Sequence, residues 1–282
     1  MQPDEYFEDF RDKFQKNIRN EQKSINGVDK LLKQIYEEFK DKYGSDIINE
    51  DGCIIGASQK TKNEEKQEEY FKLLDLWKED WESYEDFLKR KETINGTIWE
   101  KMTVIILNKI LGEDFIIVHS SINDDTYHSI DTLIIDKKTG EIVCTLDEVE
   151  TDLEKSIYYE KIRKLAKINE KFGGAFIEDG LELKDGKLIN KNIRNIPIYL
   201  FQISEEDFEK VLAGMNIDSM EKVSDIELEI FDEMIKSLEK QNNELQKGKI
   251  SENLQEKIEI FSKSLETMKE IRKKKFQIIK EE

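Results

Sequence analysis

TYHSIDTLIIDKKTGEIVCTLDEVE, residues 126–150, reads as a β-hairpin that ends in acid. Ile130, Leu133, Ile134 and Ile135 form an apolar, largely β-branched run; Lys137-Lys138-Thr139-Gly140 supplies a turn; Ile142, Val143 and Leu146 resume the run. Asp131, Asp147, Glu148 and Glu150 lie inside this otherwise buried pair of strands. Side chains alternate along a strand, so Glu148 and Glu150 are expected on one face of the second strand, with Asp147 and Val149 on the other. Carboxylates gathered on buried strands are costly unless a cation neutralises them, and a divalent metal is the usual candidate.

The flanking segments extend the pattern. Residues 94–114, INGTIWEKMTVIILNKILGED, predict a helix capped near Gly96-Thr97, with Ile98, Met102, Ile105, Ile106 and Ile110 at helical spacing and Gly112 closing it. Glu100 is expected in its first turn. A short strand at 114–118 precedes the hairpin. After Glu150, residues 152–171 predict an amphipathic helix on Leu153, Ile157, Ile162 and Leu165. Residues 196–203 form one more apolar strand, and Ser204, followed by Asp207, caps a further helix. The predicted order is helix, three strands, helix, one or two strands, helix.

Hydrolysis of a phosphodiester needs an activated water and neutralised charge on the phosphorane and leaving oxygen. One or two Mg²⁺ or Mn²⁺ ions can do both, and hard cations prefer carboxylate oxygens and water. In that chemistry Asp131 and Glu148 serve as direct ligands, with a backbone carbonyl near Val149 as a third. Glu100 completes or orients the site. Glu150 holds a second ion or accepts a proton from the attacking water.

The element order, with Glu100 in the helix, Asp131 in IDTLI and Glu148-Val149-Glu150 in LDEVE, resembles the PD-(D/E)XK nuclease superfamily over roughly residues 94–212. The third motif position holds Glu150 where lysine is usual, a Glu-x-Glu variant that some restriction endonucleases of the superfamily share. In other members the lysine comes from the following helix, where Lys155 and Lys161 stand here. The resemblance implies a restriction-endonuclease-like αβββαβ core and a Mg²⁺-dependent DNA endonuclease of the restriction type. Its substrate would be double-stranded DNA, and the catalytic set Glu100, Asp131, Glu148, Glu150 and Lys155. Inactive relatives imply an alternative, a nuclease-fold module that binds nucleic acid or protein without cutting.

Each residue also has a structural explanation. Asp131 and Glu148 could each be paired with a nearby Lys or Arg, and Glu150 could be the solvated end of a strand. Glu100 suits a helix N-terminus electrostatically. Asp147 reads as a surface salt-bridge partner, His128 as a hydrogen-bonded structural histidine, and Lys155 and Lys161 as solvated helix lysines.

The chain has 282 residues and a formal net charge of −18, with 38% of residues charged. Such a surface repels a nucleic-acid backbone on average, so any nucleic-acid site must be a local basic patch. Three segments qualify: Lys161, Arg163, Lys164 and Lys167 on one helix, residues 184–194, and residues 272–275. The acidic balance also suits a third class, a helical scaffold that binds protein. Two cysteines, Cys53 and Cys144, point away from a disulfide scaffold, no apolar run is long enough to span a membrane, and no secretory signal is expected. A cytoplasmic protein with no membrane partner is expected.

The organisation predicted is a helical N-terminal region at 1–92, a nuclease-like α/β core at 93–220 and a C-terminal helical hairpin at 221–282. The N-terminal apolar residues imply two helices broken near Gly27, a loop or small hairpin over 44–62, and one or two helices over 64–91 carrying Trp77 and Trp81. Leu254, Ile258, Phe261, Leu265 and Met268 follow a coiled-coil-like rhythm, which suggests a homodimer.

Overall fold

The structure, a computed structural model, describes residues 3–44, 47–49, 52–56, 95–150 and 155–281, and side chains between 23 and 275 except Thr126, Glu150 and 155–158. The helices predicted over 64–91 lie outside the described residues. The described elements are α1 (Pro3–Tyr43), α2 (Asn95–Leu111), β1 (Phe115–His119), α3 (Ile122–His128), β2 (Thr132–Asp136) and β3 (Ile142–Glu150). They continue with α4 (Lys155–Phe172), β4 (Ala175–Lys184), β5 (Lys187–Ile196), β6 (Ile198–Ile203), α5 (Glu205–Gly214), α6 (Asp225–Lys247) and α7 (Glu252–Glu281). The chain is thus mixed α/β, with a four-stranded sheet in the order β1-β2-β3-β6 and a separate β4-β5 pair.

β1, β2 and β3 pair antiparallel, and β6 joins β3 in parallel, Thr145 opposite Ile198 through Glu150 opposite Ile203. Every residue of β1 is buried, as are the first four of β2. That explains continuous apolar runs where a half-exposed strand would alternate. The turn between β2 and β3 is built by Asp136, whose carboxylate accepts from the Lys138 N–H at 2.6 Å. Gly140 closes it at φ +76°, and a Cβ there would come within 2.1 Å of the Leu183 carbonyl oxygen, so only glycine fits.

α2 explains its own sequence in the same way. Residues 102–111 are buried without interruption, so the helix is apolar on every side. The sheet covers one side, through β1 and β3, and α1, α6 and α7 cover the rest. Lys109 is the charged exception, fully buried and paired with Glu227 of α6 at 2.7 Å. Glu227 also caps its own helix by accepting from the Ser224 N–H at 2.6 Å.

Several expectations are corrected. α1 runs through Gly27 unbroken: a Cβ there would meet Ile217 at 2.6 Å, so the glycine permits close packing and does not break the helix. Thr126, Tyr127 and His128 belong to the end of α3, whose N-cap Ser121 accepts from the Asp124 N–H at 3.1 Å. Glu100 is the sixth residue of α2, one turn later than expected. The C-terminal hairpin forms as α6 and α7, but its apolar stripe faces inward. Leu254, Ile258, Phe261, Leu265 and Met268 are at most 2% exposed, covered by α6, α2, β3 and β5 of the same chain. That stripe therefore gives no motive for a homodimer.

Candidate active site

The acidic end of β3 is buried. In the parallel register Glu148 stands beside Phe201 and Asp147 beside Leu200, and register neighbours share a face. Phe201 packs against Trp99 of α2 with ring centroids 5.4 Å apart. Glu148 therefore faces α2, which also carries Glu100. Asp147 faces the opposite side, where Lys161 of α4 reaches it at 2.5 Å. The expected alternation of Glu148 and Asp147 is what the register shows.

Asp131 sits one residue before β2 and closes the ladder between the two faces. Its N–H donates to the Leu146 carbonyl at 2.9 Å, and its carboxylate accepts from the Glu148 N–H at 2.6 Å. A strand N–H points within the sheet, so the Asp131 carboxylate lies at the end of the β2–β3 pairing, where groups from both faces act on it. The neighbouring chain reversal is held by Ser129, which ends α3 in the left-handed region at φ 56°.

Electrostatically these residues form one cluster. Burial pushes Asp131 well above the usual carboxylate range, and the charges of Glu100, Asp147, Asp125 and Glu148 push it further. Burial pushes Glu148 up to about 8, with Glu100 and Asp147 adding to it; the Thr132 hydroxyl beside it acts the other way without a hydrogen bond of good geometry. Burial also raises Asp147, against the opposing ion pair with Lys161. For Lys161 burial would lower the proton affinity, but Asp147, Asp131 and Glu100 outweigh it and hold the ammonium charged. Asp147 Oδ2 and both Glu148 carboxylate oxygens are buried with no hydrogen-bond partner among the described residues. Unsatisfied buried acceptors of this kind normally mark a missing partner.

Of the predicted residues, Asp131 and Glu148 are joined through the Glu148 N–H, and the charge of Glu100 acts on both. Among the described residues the structure does not arrange three His, Cys, Asp or Glu side chains as a finished metal cage. Glu150 continues β3 opposite Ile203 and Lys155 opens α4, while both side chains lie outside the described residues. Asp147, expected at the surface, is 1% exposed. Lys161, expected in solvent, is the lysine that the described structure places in the cluster. In the basic segment at 272–275, Arg272 pairs with Asp232 at 2.7 Å and Lys275 with Glu113 at 3.7 Å.

Sequence reasoning missed α3 and its Asp124. That side chain accepts from the Glu178 and Asp179 N–H groups at 2.8 and 2.9 Å, tying α3 to β4. Ser121 followed by Asp124 was the available signal for a capped helix. The β4-β5 hairpin was missed as well, although Asp185-Gly186 between apolar segments is a hairpin signature.

Comparison of the chain with protein-family models, curated proteins and solved structures yields no match.

Proposed function

We propose that this protein is a Mg²⁺- or Mn²⁺-dependent endonuclease that hydrolyses phosphodiester bonds in DNA, in the manner of a restriction enzyme. The observation that carries the proposal is the buried cluster of Asp131, Asp147 and Glu148, acted on by the half-buried Glu100, with orphaned carboxylate oxygens and Lys161 as its near cation. Ionised, these acids outnumber the lysine, so the site must hold protons or take up a cation. Its donors are oxygen alone, the set a hard divalent ion prefers. With α3 and the separate β4-β5 pair set aside as insertions, the order helix, three antiparallel strands, helix, parallel strand also agrees with the nuclease resemblance in LDEVE and IDTLI.

Asp131, Glu148 and Glu100 are the residues that would hold the ion, and a bound divalent ion would supply an acidified water and neutralise charge on the phosphate. Lys161 pairs with Asp147 on the face of β3 opposite Glu148 and opposes the effect of burial on its carboxyl. The Asp131 carboxylate, fixed by the Glu148 N–H, holds the ends of β2 and β3 at constant separation. α2 and α4 exclude bulk water from the two faces.

A second reading has its own observation. The described side chains form no finished cage, and the chain is strongly acidic; both favour a non-catalytic nuclease-fold module that binds nucleic acid or protein. Incubation of supercoiled plasmid with the protein and Mg²⁺ or Mn²⁺ separates the two. Nicking or linearisation that disappears in Asp131→Ala and Glu148→Ala supports the enzyme, and an uncut plasmid with all metals supports the module.

A further inference from the structure

In a chain with 63 acidic and 45 basic residues, stretches without acid stand out. Residues 186–203 contain Lys187, Lys191 and Arg194 and no Asp or Glu; residues 161–176 hold five basic residues against Glu170 alone. The fold joins parts of these stretches at one corner. The Arg194 guanidinium lies 4.4 Å from the centre of the Phe176 ring. The His128 ring meets the same ring edge-on, with centroids 5.6 Å apart. One residue further on, the Ser129 hydroxyl accepts a hydrogen bond from Lys164.

Arg194 and Lys164 are exposed, and neither pairs with a carboxylate among the described residues. Lys191, by contrast, is engaged by Glu182 at 2.9 Å. An arginine stacked on an aromatic ring is fixed in orientation while its N–H edge stays available for a phosphate. Lys164 uses one donor on Ser129 and keeps two. Tyr127, next to His128, is 41% exposed. We propose that this corner, where the end of α3, the start of β4 and the end of β5 meet α4, holds a DNA strand. Arg194 and Lys164 bind its phosphates, and Tyr127 offers a face for a base.

The assignment rests on the nuclease reading, because the corner adjoins the acidic cluster. Ser129 is two residues from Asp131, and the charge of Lys164 acts on Asp147. A strand held there would be led past the carboxylates. The acidic remainder of the surface repels the same polyanion and so confines it to this corner.

The test is fluorescence anisotropy of a labelled 30-base-pair DNA duplex against the full chain in EDTA, between 50 and 200 mM salt. Removing two phosphate contacts should reduce the slope of log affinity against log salt by about 2. Lys164→Gln/Arg194→Gln should therefore lose roughly tenfold less affinity across that range than wild type. Each single variant should reduce the slope by about 1, which keeps the test valid if the double variant folds poorly. Lys236→Gln/Lys240→Gln on α6 should leave the slope unchanged. If wild type binds DNA and the Lys164 and Arg194 variants keep its slope, the corner is wrong while the nuclease reading survives. If wild type binds no DNA at any salt, both fall.

Discussion

Glu148→Gln is the perturbation whose consequence the structure sets most sharply. The Glu148 carboxyl titrates at about 8 in the folded chain, against an ordinary value of 4.5, chiefly through burial. A folded-state value raised above the unfolded one means that the native state holds the proton more tightly. Glu148 therefore costs no stability below about pH 4.5, progressively more as pH rises, and its full amount above about pH 8. The gap between 4.5 and about 8, at about 1.4 kcal/mol per pH unit, gives a full cost on the order of 5 kcal/mol. Glutamine removes that charge but leaves a buried amide to satisfy, which costs about 1–3 kcal/mol. The variant should thus be about 2–4 kcal/mol more stable than wild type at pH 8.5 and no more stable at pH 5. Urea unfolding followed by circular dichroism at both pH values, in EDTA, measures this. Parallel pH profiles for the two proteins would refute the placement of Glu148 in a buried acidic cluster. Millimolar Mg²⁺ should stabilise wild type at pH 8.5 and leave Glu148→Gln largely unaffected.

Glu150→Lys recreates the commoner motif, and it should be as inactive in plasmid cleavage as Glu150→Ala if Glu150 holds a second ion or takes the water's proton. Lys109→Met leaves Glu227 charged and buried without its partner, so it should destabilise the fold by about 3–5 kcal/mol in the same urea assay. Phe261→Ala should cost about 3–5 kcal/mol, and light scattering should find the wild-type chain monomeric, because the stripe on α7 is filled from within the chain.

Periodicity and apolar content located the sheet strands and α2, α4, α5, α6 and α7, because those elements bury long unbroken faces. Asp131 and Glu148 were legible for a related reason: acid inside an apolar strand must be compensated. Residues whose roles depend on a distant partner were not. Asp147 looks like any surface acid until Lys161 is seen to cover it from α4, fourteen residues on. Gly27 looks like a helix breaker until Ile217 is seen against it. The stripe on α7 has the spacing of a dimer seam, and only the positions of α2, β3 and β5 show that it is already covered. β5 carries so many exposed residues that its alternation was overshadowed by its lysines, even with Asp185-Gly186 at the β4-β5 turn.

The central claim is that the cluster around Asp131 and Glu148 takes up a divalent cation in place of protons. Calorimetric titration with Mn²⁺ at pH 7, repeated in buffers of different ionisation enthalpy, tests it directly. Since Glu148 titrates at about 8, it is largely protonated at pH 7, and binding should release on the order of one proton per ion. Asp131→Asn should lose most of the affinity. Absence of binding at millimolar Mn²⁺, or binding that is unchanged in Asp131→Asn and releases no proton, would contradict the account.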